Sequence, residues 1–178
     1  MSRRESYAVR ISGLADGNHD FLFEINKQFF ATLEQPEIEN GNVEAKVVLE
    51  KGPGVLSLHF DITGEVEVLC DRCLEPFMAK INSRQTIFVK MGDTPGEIED
   101  DVIMIHKDDH EIYVGQFIYE FIVLALPMKK IHPDRGKGMQ TCDPEMIRKL
   151  DAHRGKQVRK EQTDPRWDAL KGIIEKNN

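Results

Sequence analysis

The sequence predicts an α+β fold: a curved antiparallel β-sheet, barrel-like or sandwich-like, with one buried apolar helix and a basic C-terminal arm with short helices. Three observations lead there. Residues 43–91 alternate apolar and polar side chains between glycine-bearing turns. Residues 112–126 are apolar nearly all round. Beyond Pro127 the composition turns basic and gains Pro133, Gly136 and Gly138. The division expected is a β-rich domain over 1–127 and an arm over 128–178.

The elements follow in order. Tyr7–Ile11 and Phe21–Ile25 are short strand candidates, the second after the turn signal Gly17-Asn18. Phe29 and Phe30 precede a polar, proline-containing loop at 34–42. Val43, Ala45, Val47 and Leu49 alternate with Glu44, Lys46 and Val48 up to the turn at Lys51-Gly52-Pro53-Gly54. Leu56, Leu58, Phe60 and Ile62 continue the alternation, Gly64 interrupts it, and Val66, Val68 and Cys70 resume it. A period of two with one polar face marks antiparallel strands half open to water. Short glycine-bearing connections make them a meander of hairpins. A long strand, roughly 77–91, follows the cysteines.

Residues 93–101 read as an acidic loop and 102–105 as a short strand. The apolar run 112–126 reads as a helix against the sheet, stopped by Pro127. Its 15 residues fall short of a bilayer. In the arm, Asp143-Pro144-Glu145 opens one short helix, since proline suits the first helical position. Asp164-Pro165 opens another, with Trp167 and Leu170 on one face.

Charge is unevenly spread. The chain carries -7 overall, yet residues 128–178 hold 13 Lys and Arg against 8 Asp and Glu. An acidic body with a basic arm is either a solvated tail or a segment that meets phosphates or an acidic surface. No apolar run of membrane-spanning length and no secretory leader is expected. Three cysteines without a leader argue for a reduced, cytoplasmic protein.

Cys70-Asp71-Arg72-Cys73 places two thiols on a turn between strands. That is half a zinc site, because two thiolates fill two of four tetrahedral positions. Cys142 and His132 are the candidates for the remainder, with His153 also nearby in sequence, giving three cysteines and one histidine. The competing reading is a structural turn with two reduced thiols. Thioredoxin-type redox chemistry is disfavoured, because the pair follows a strand and does not open a helix. His59 lies on a polar strand face, and His106 and His110 flank a turn. The acidic stretch fits no EF-hand spacing. No phosphate loop, dinucleotide fingerprint, hydrolase elbow or metalloprotease helix is present. No catalytic residue is assigned, and the chain is not expected to be an enzyme.

The arm's Lys129, Lys130, Arg135, Arg148, Lys149 and Arg166 are candidates for RNA or partner contact, with Trp167 and Leu170 as an apolar stripe. Few aromatics interleave with the cations, so base stacking is not expected and backbone readout is.

Three motifs carry a resemblance: Val68-Leu-Cys-Asp-Arg-Cys-Leu-Glu-Pro76, Tyr119-Glu-Phe-Ile-Val-Leu-Ala-Leu-Pro127 and Asp164-Pro-Arg-Trp-Asp-Ala-Leu170. Together they resemble the YceD family, the large ribosomal RNA subunit accumulation proteins. The resemblance implies a cytoplasmic bacterial factor that promotes synthesis, processing or stability of large-subunit ribosomal RNA during ribosome biogenesis. Its implied partners are that RNA or an assembly protein bound to it, with no membrane. It supplies no catalytic residues. Many members carry a second cysteine cluster that would complete a four-cysteine zinc site. This chain has only Cys142 there, leaving either a metal-free turn or three cysteines with one histidine. Two other readings stay open: an interaction adaptor without RNA contact, and a zinc- or thiol-dependent regulator.

Overall fold

The computed structural model describes residues 7–34, 36–53, 55–99, 101–133 and 142–154. Eight strands and three helices are described. They are β1 (Ala8–Arg10), β2 (Gly17–Ile25), α1 (Lys27–Phe30), β3 (Gly41–Gly52), β4 (Val55–Leu69), β5 (Pro76–Gly92), β6 (Gly96–Glu99), β7 (Val102–His106), β8 (Glu111–Tyr113), α2 (Gly115–Leu124) and α3 (Pro144–His153).

The alternating stretch does become a meander. β2, β3, β4 and β5 pair antiparallel in sequence order. Val43, Ala45, Val47, Leu49, Leu58, Phe60 and Ile62 are buried on one face. Cross-strand pairs on the opposite face are charged or polar: Lys46 meets Asp20 at 3.2 Å and Arg84 meets Asp61 at 3.3 Å. His59 lies on this face, as its alternation suggests, within 3.2 Å of Glu50 and 3.0 Å of Thr86.

The sheet is not wholly antiparallel and does not close into a barrel. After β5 the chain passes to the sheet edge as β6 and returns as β7, which pairs parallel with β5 and antiparallel with β6. The expected acidic loop at 93–101 therefore contains an edge strand. β1 and β8 form a separate two-stranded sheet, in which Val9 faces Ile112.

The expected helix 112–126 is shorter. Glu111–Tyr113 is strand β8, because its backbone pairs with β1, and helix begins only at Gly115. Nor is the helix buried all round. Ile118 and Ile122 are fully buried, but Leu124 is 72% exposed. α2 packs on β4 and β5, with Phe121 edge-on to Phe60 at 5.0 Å. The Tyr119 hydroxyl accepts the Glu37 N–H at 2.8 Å.

The sequence also leaves α1 unannounced. Asn26 caps it by accepting the Gln28 N–H, which turns Phe29 and Phe30 into the core. Tyr7 packs edge-on against Phe29 at 4.8 Å. No described helix is long and apolar enough to cross a membrane.

Candidate metal centre

β4 and β5 are the longest strands, and their shared end runs past β3 as a hairpin tip. There Val68 and Phe77 face each other, as do Leu69 and Pro76. Residues 70–75 close the tip. The Leu74 N–H donates to the Cys70 carbonyl at 2.9 Å, and the Cys70 N–H donates to the Glu75 carbonyl at 3.0 Å. This closure requires a left-handed residue, and Leu74 takes it with φ 61°. For a leucine that conformation costs roughly 1–2 kcal/mol.

The arm returns to this tip twice. First, the Asp71 N–H donates to the Lys130 carbonyl, and the Lys130 N–H donates to the Asp71 carboxylate, both at 2.7 Å. Two short hydrogen bonds thus fix the chain just before His132. The His132 ring then lies against Phe77, with centroids 4.8 Å apart. Second, Asp143 caps α3 by accepting the Glu145 N–H at 2.9 Å, with Pro144 opening the helix. That anchors Cys142, one residue before the cap. Met146 and Ile147 of α3, with Ile131 and Phe77, pack around the three cysteines.

The result is a compact donor cluster. One ligand atom from each of Cys70, Cys73, His132 and Cys142 lies within 4.8 Å of every other. Cys70 Sγ is 3.7 Å from Cys142 Sγ. His132 Nδ1 is 3.5 Å from both Cys73 Sγ and Cys142 Sγ. Zinc bonds of roughly 2.3 Å to sulfur and 2.0 Å to nitrogen, at tetrahedral angles, put sulfurs about 3.8 Å apart and sulfur from nitrogen about 3.5 Å apart. Those three separations match the ones a tetrahedral ion imposes. All three cysteines are buried and free of disulfides.

Thiols packed this closely cannot all ionise alone. Burial pushes the Cys142 thiol up to about 11, and the neighbouring Cys70 and Cys73 side chains add to the shift. Burial also pushes Cys70 up, but the backbone N–H groups of Arg72, Cys73 and His132 and the Cys73 side chain outweigh it and hold Cys70 at about 6. One sulfur is prepared as a thiolate while another resists ionisation until a cation offsets the charge. A soft cation placed among these sulfurs would offset that charge.

The four candidate ligands named from sequence are thus adjacent, and His153 is not among them. It is exposed near the end of α3, where its Nδ1 meets the Lys149 carbonyl at 2.8 Å. Of the candidate contact residues, Lys129 is exposed beside the clasp, and Lys130 is half-buried. Arg148 and Lys149 are exposed on α3, with Lys149 3.1 Å from Glu145. Arg135, Arg166, Trp167 and Leu170 lie outside the described residues. Asp71 and Phe77, which position the His132 segment, escaped sequence reasoning. The signal was weak, since an aspartate inside a two-cysteine turn has no required role.

With this geometry established, comparison with known families is informative. Residues 58–173 match the family model described as "Large ribosomal RNA subunit accumulation protein YceD". This chain belongs to the YceD family. The match begins in β4 and takes in the hairpin tip and all four cluster residues. No curated protein and no solved structure matches the chain. Membership associates the chain with accumulation of large-subunit ribosomal RNA.

Proposed function

We propose that this YceD-family chain is a non-enzymatic, cytoplasmic factor that promotes accumulation of large-subunit ribosomal RNA, with its basic arm held on the acidic body by a metal clasp. The observation that carries the clasp is the convergence of Cys70, Cys73, His132 and Cys142 from three separated segments. Cys70, Cys73, His132 and Cys142 would hold a zinc ion there, which would supply positive charge to the buried thiolates and tie the hairpin tip to both parts of the arm. The chain's own residues do the rest. Asp71 fixes the Lys130 backbone, Phe77 orients the His132 ring, and Asp143 starts α3 beside Cys142.

So held, Lys129, Arg148 and Lys149, together with the sequence neighbours Arg135 and Arg166, offer cations to RNA phosphates without reading bases. Binding by phosphate contact releases counterions, so affinity falls log-linearly with salt. The test is binding of the full chain to large-subunit ribosomal RNA across a salt series. Replacing Arg148 and Lys149 together by glutamine is expected to lower the slope magnitude by about 1–2. An unchanged slope would remove these residues from the RNA interface. In cells, Cys142→Ser is expected to lower large-subunit RNA relative to small-subunit RNA. Normal RNA levels in that variant would defeat the clasp as part of the function.

A further inference from the structure

The outer face of the hairpin tip carries an apolar patch that the metal clasp does not use. Leu69 is 57% exposed, Leu74 63% and Met78 42%. Leu69 pairs with Pro76 and Glu67 with Met78, so Leu69 and Met78 share one face, opposite that of Val68 and Phe77, and Leu74 lies in the turn just beyond them. Leu74 is the one described non-glycine residue with positive φ. Glycine would take that conformation freely. The turn needs the backbone conformation but not the leucine side chain, whose exposure leaves that strain without offsetting burial, and such outliers gather at functional sites.

A second feature of the same face is electrostatic. In mid-sheet, its charges form complementary pairs, Lys46 with Asp20 and Arg84 with Asp61. Toward the tip the pattern changes. Glu24 stands directly opposite Glu44 on neighbouring strands, and like charges so placed repel. Glu65 and Glu67 follow on β4, with only Lys80 placed opposite Glu65 as a cation in that part of the register. An acidic strip therefore leads to an apolar knob. That charge favours a basic partner on this face over a nucleic acid, whose phosphates the cations of the arm suit better.

We infer that this tip is a docking surface for a basic protein, whose apolar pocket receives Leu74 and whose lysines and arginines face Glu24, Glu44, Glu65 and Glu67. The inference rests on the ribosome-assembly reading only for where to look for the partner. On it, the chain is two-sided, with the basic arm toward phosphate and the acidic tip toward a basic assembly protein.

The test uses immobilised full chain and, as probe, RNA-free proteins extracted from large ribosomal subunits, with captured species identified and quantified individually. Wild-type chain is expected to retain one or a few basic proteins. Leu74→Gly should reduce that capture about tenfold or more, as loss of an interface anchor does, while leaving Tm unchanged or raised because glycine suits the turn. Met78→Ser, on the open face, should also reduce it. Equal capture by both variants at unchanged Tm would overturn the inference. So would a wild-type dimer in sedimentation that Leu74→Gly makes monomeric, since the occupant is then a second copy. Loss of binding to protein-free ribosomal RNA in Leu74→Gly would overturn it as well. The RNA-accumulation reading stands or falls separately, on RNA levels in Cys142→Ser cells.

Discussion

His132 decides whether the cysteine turn is a metal centre or only a packed knuckle. A three-thiol pocket without its imidazole leaves a tetrahedral ion one ligand short, and the ring's Nδ1 already lies 3.5 Å from two sulfurs. His132→Ala is expected to lower bound zinc well below one equivalent per chain, measured by atomic absorption after exhaustive dialysis. His132→Cys is expected to restore it, because a fourth thiolate suits the same tetrahedral site. If His132→Ala retains a full equivalent, the imidazole is not a ligand. At this scale the sequence exposed the right residue types. Thiols and imidazole are recognisable ligands wherever they fall. His132 and His153 flank Cys142 at similar separations, and the Asp71–Lys130 hydrogen bonds with the Phe77 ring contact are what bring the expected His132 to the thiols. The strained backbone at Leu74 was invisible, since nothing in a leucine announces a left-handed turn.

At the scale of elements, Gly64 carries a consequence of its own. It sits within β4 at φ 155°, opposite Val43 on β3. A Cβ there would collide with the Asn42 carbonyl oxygen and Val43 Cα, both backbone atoms that cannot swing aside. Gly64→Ala is expected to cost about 2–4 kcal/mol, read as a lower urea midpoint at unchanged m-value. A loss below about 0.5 kcal/mol, the usual range for an inconsequential surface change, would show that β3 and β4 can separate to admit the methyl. β3, β4 and β5 were legible because each is half-buried, so solvent imposes the period of two on the sequence. β8 was not. Ile112 and Val114 continue the apolar run of α2, and only pairing with β1 assigns Glu111–Tyr113 to a strand. β6 and α1 are too short for any period to register, and the parallel pairing of β7 with β5 depends on a return path around the sheet edge.

For the whole molecule, the buried apolar residues divide into two clusters of unequal size. The larger joins both sheets and α2, including Phe29, Phe30, Phe60 and Ile118. The smaller consists of the three cysteines with Ile131, Met146 and Ile147, and among the described residues Phe77 is the side chain common to both clusters. α3 itself has no buried residue. A short helix of 10 residues with that little burial is unstable alone. Its place on the body therefore depends on Cys142 and the site Cys142 joins. Chelation of zinc is accordingly expected to release α3 and the segment around Lys130 while the sheet persists. Hydrogen exchange should show the amides of residues 144–153 and Lys130 losing protection, with those of β3 and β4 unchanged. The main cooperative unfolding transition should survive chelation, because the larger cluster is drawn from β1 to β5, β7, β8, α1 and α2 and does not include the thiols. Global unfolding by chelator would mean that the hairpin tip is a keystone of the sheet and not an attachment to it. Unchanged protection of α3 would mean that the packing of Met146 and Ile147 alone holds the arm, and the metal clasp would have no structural role.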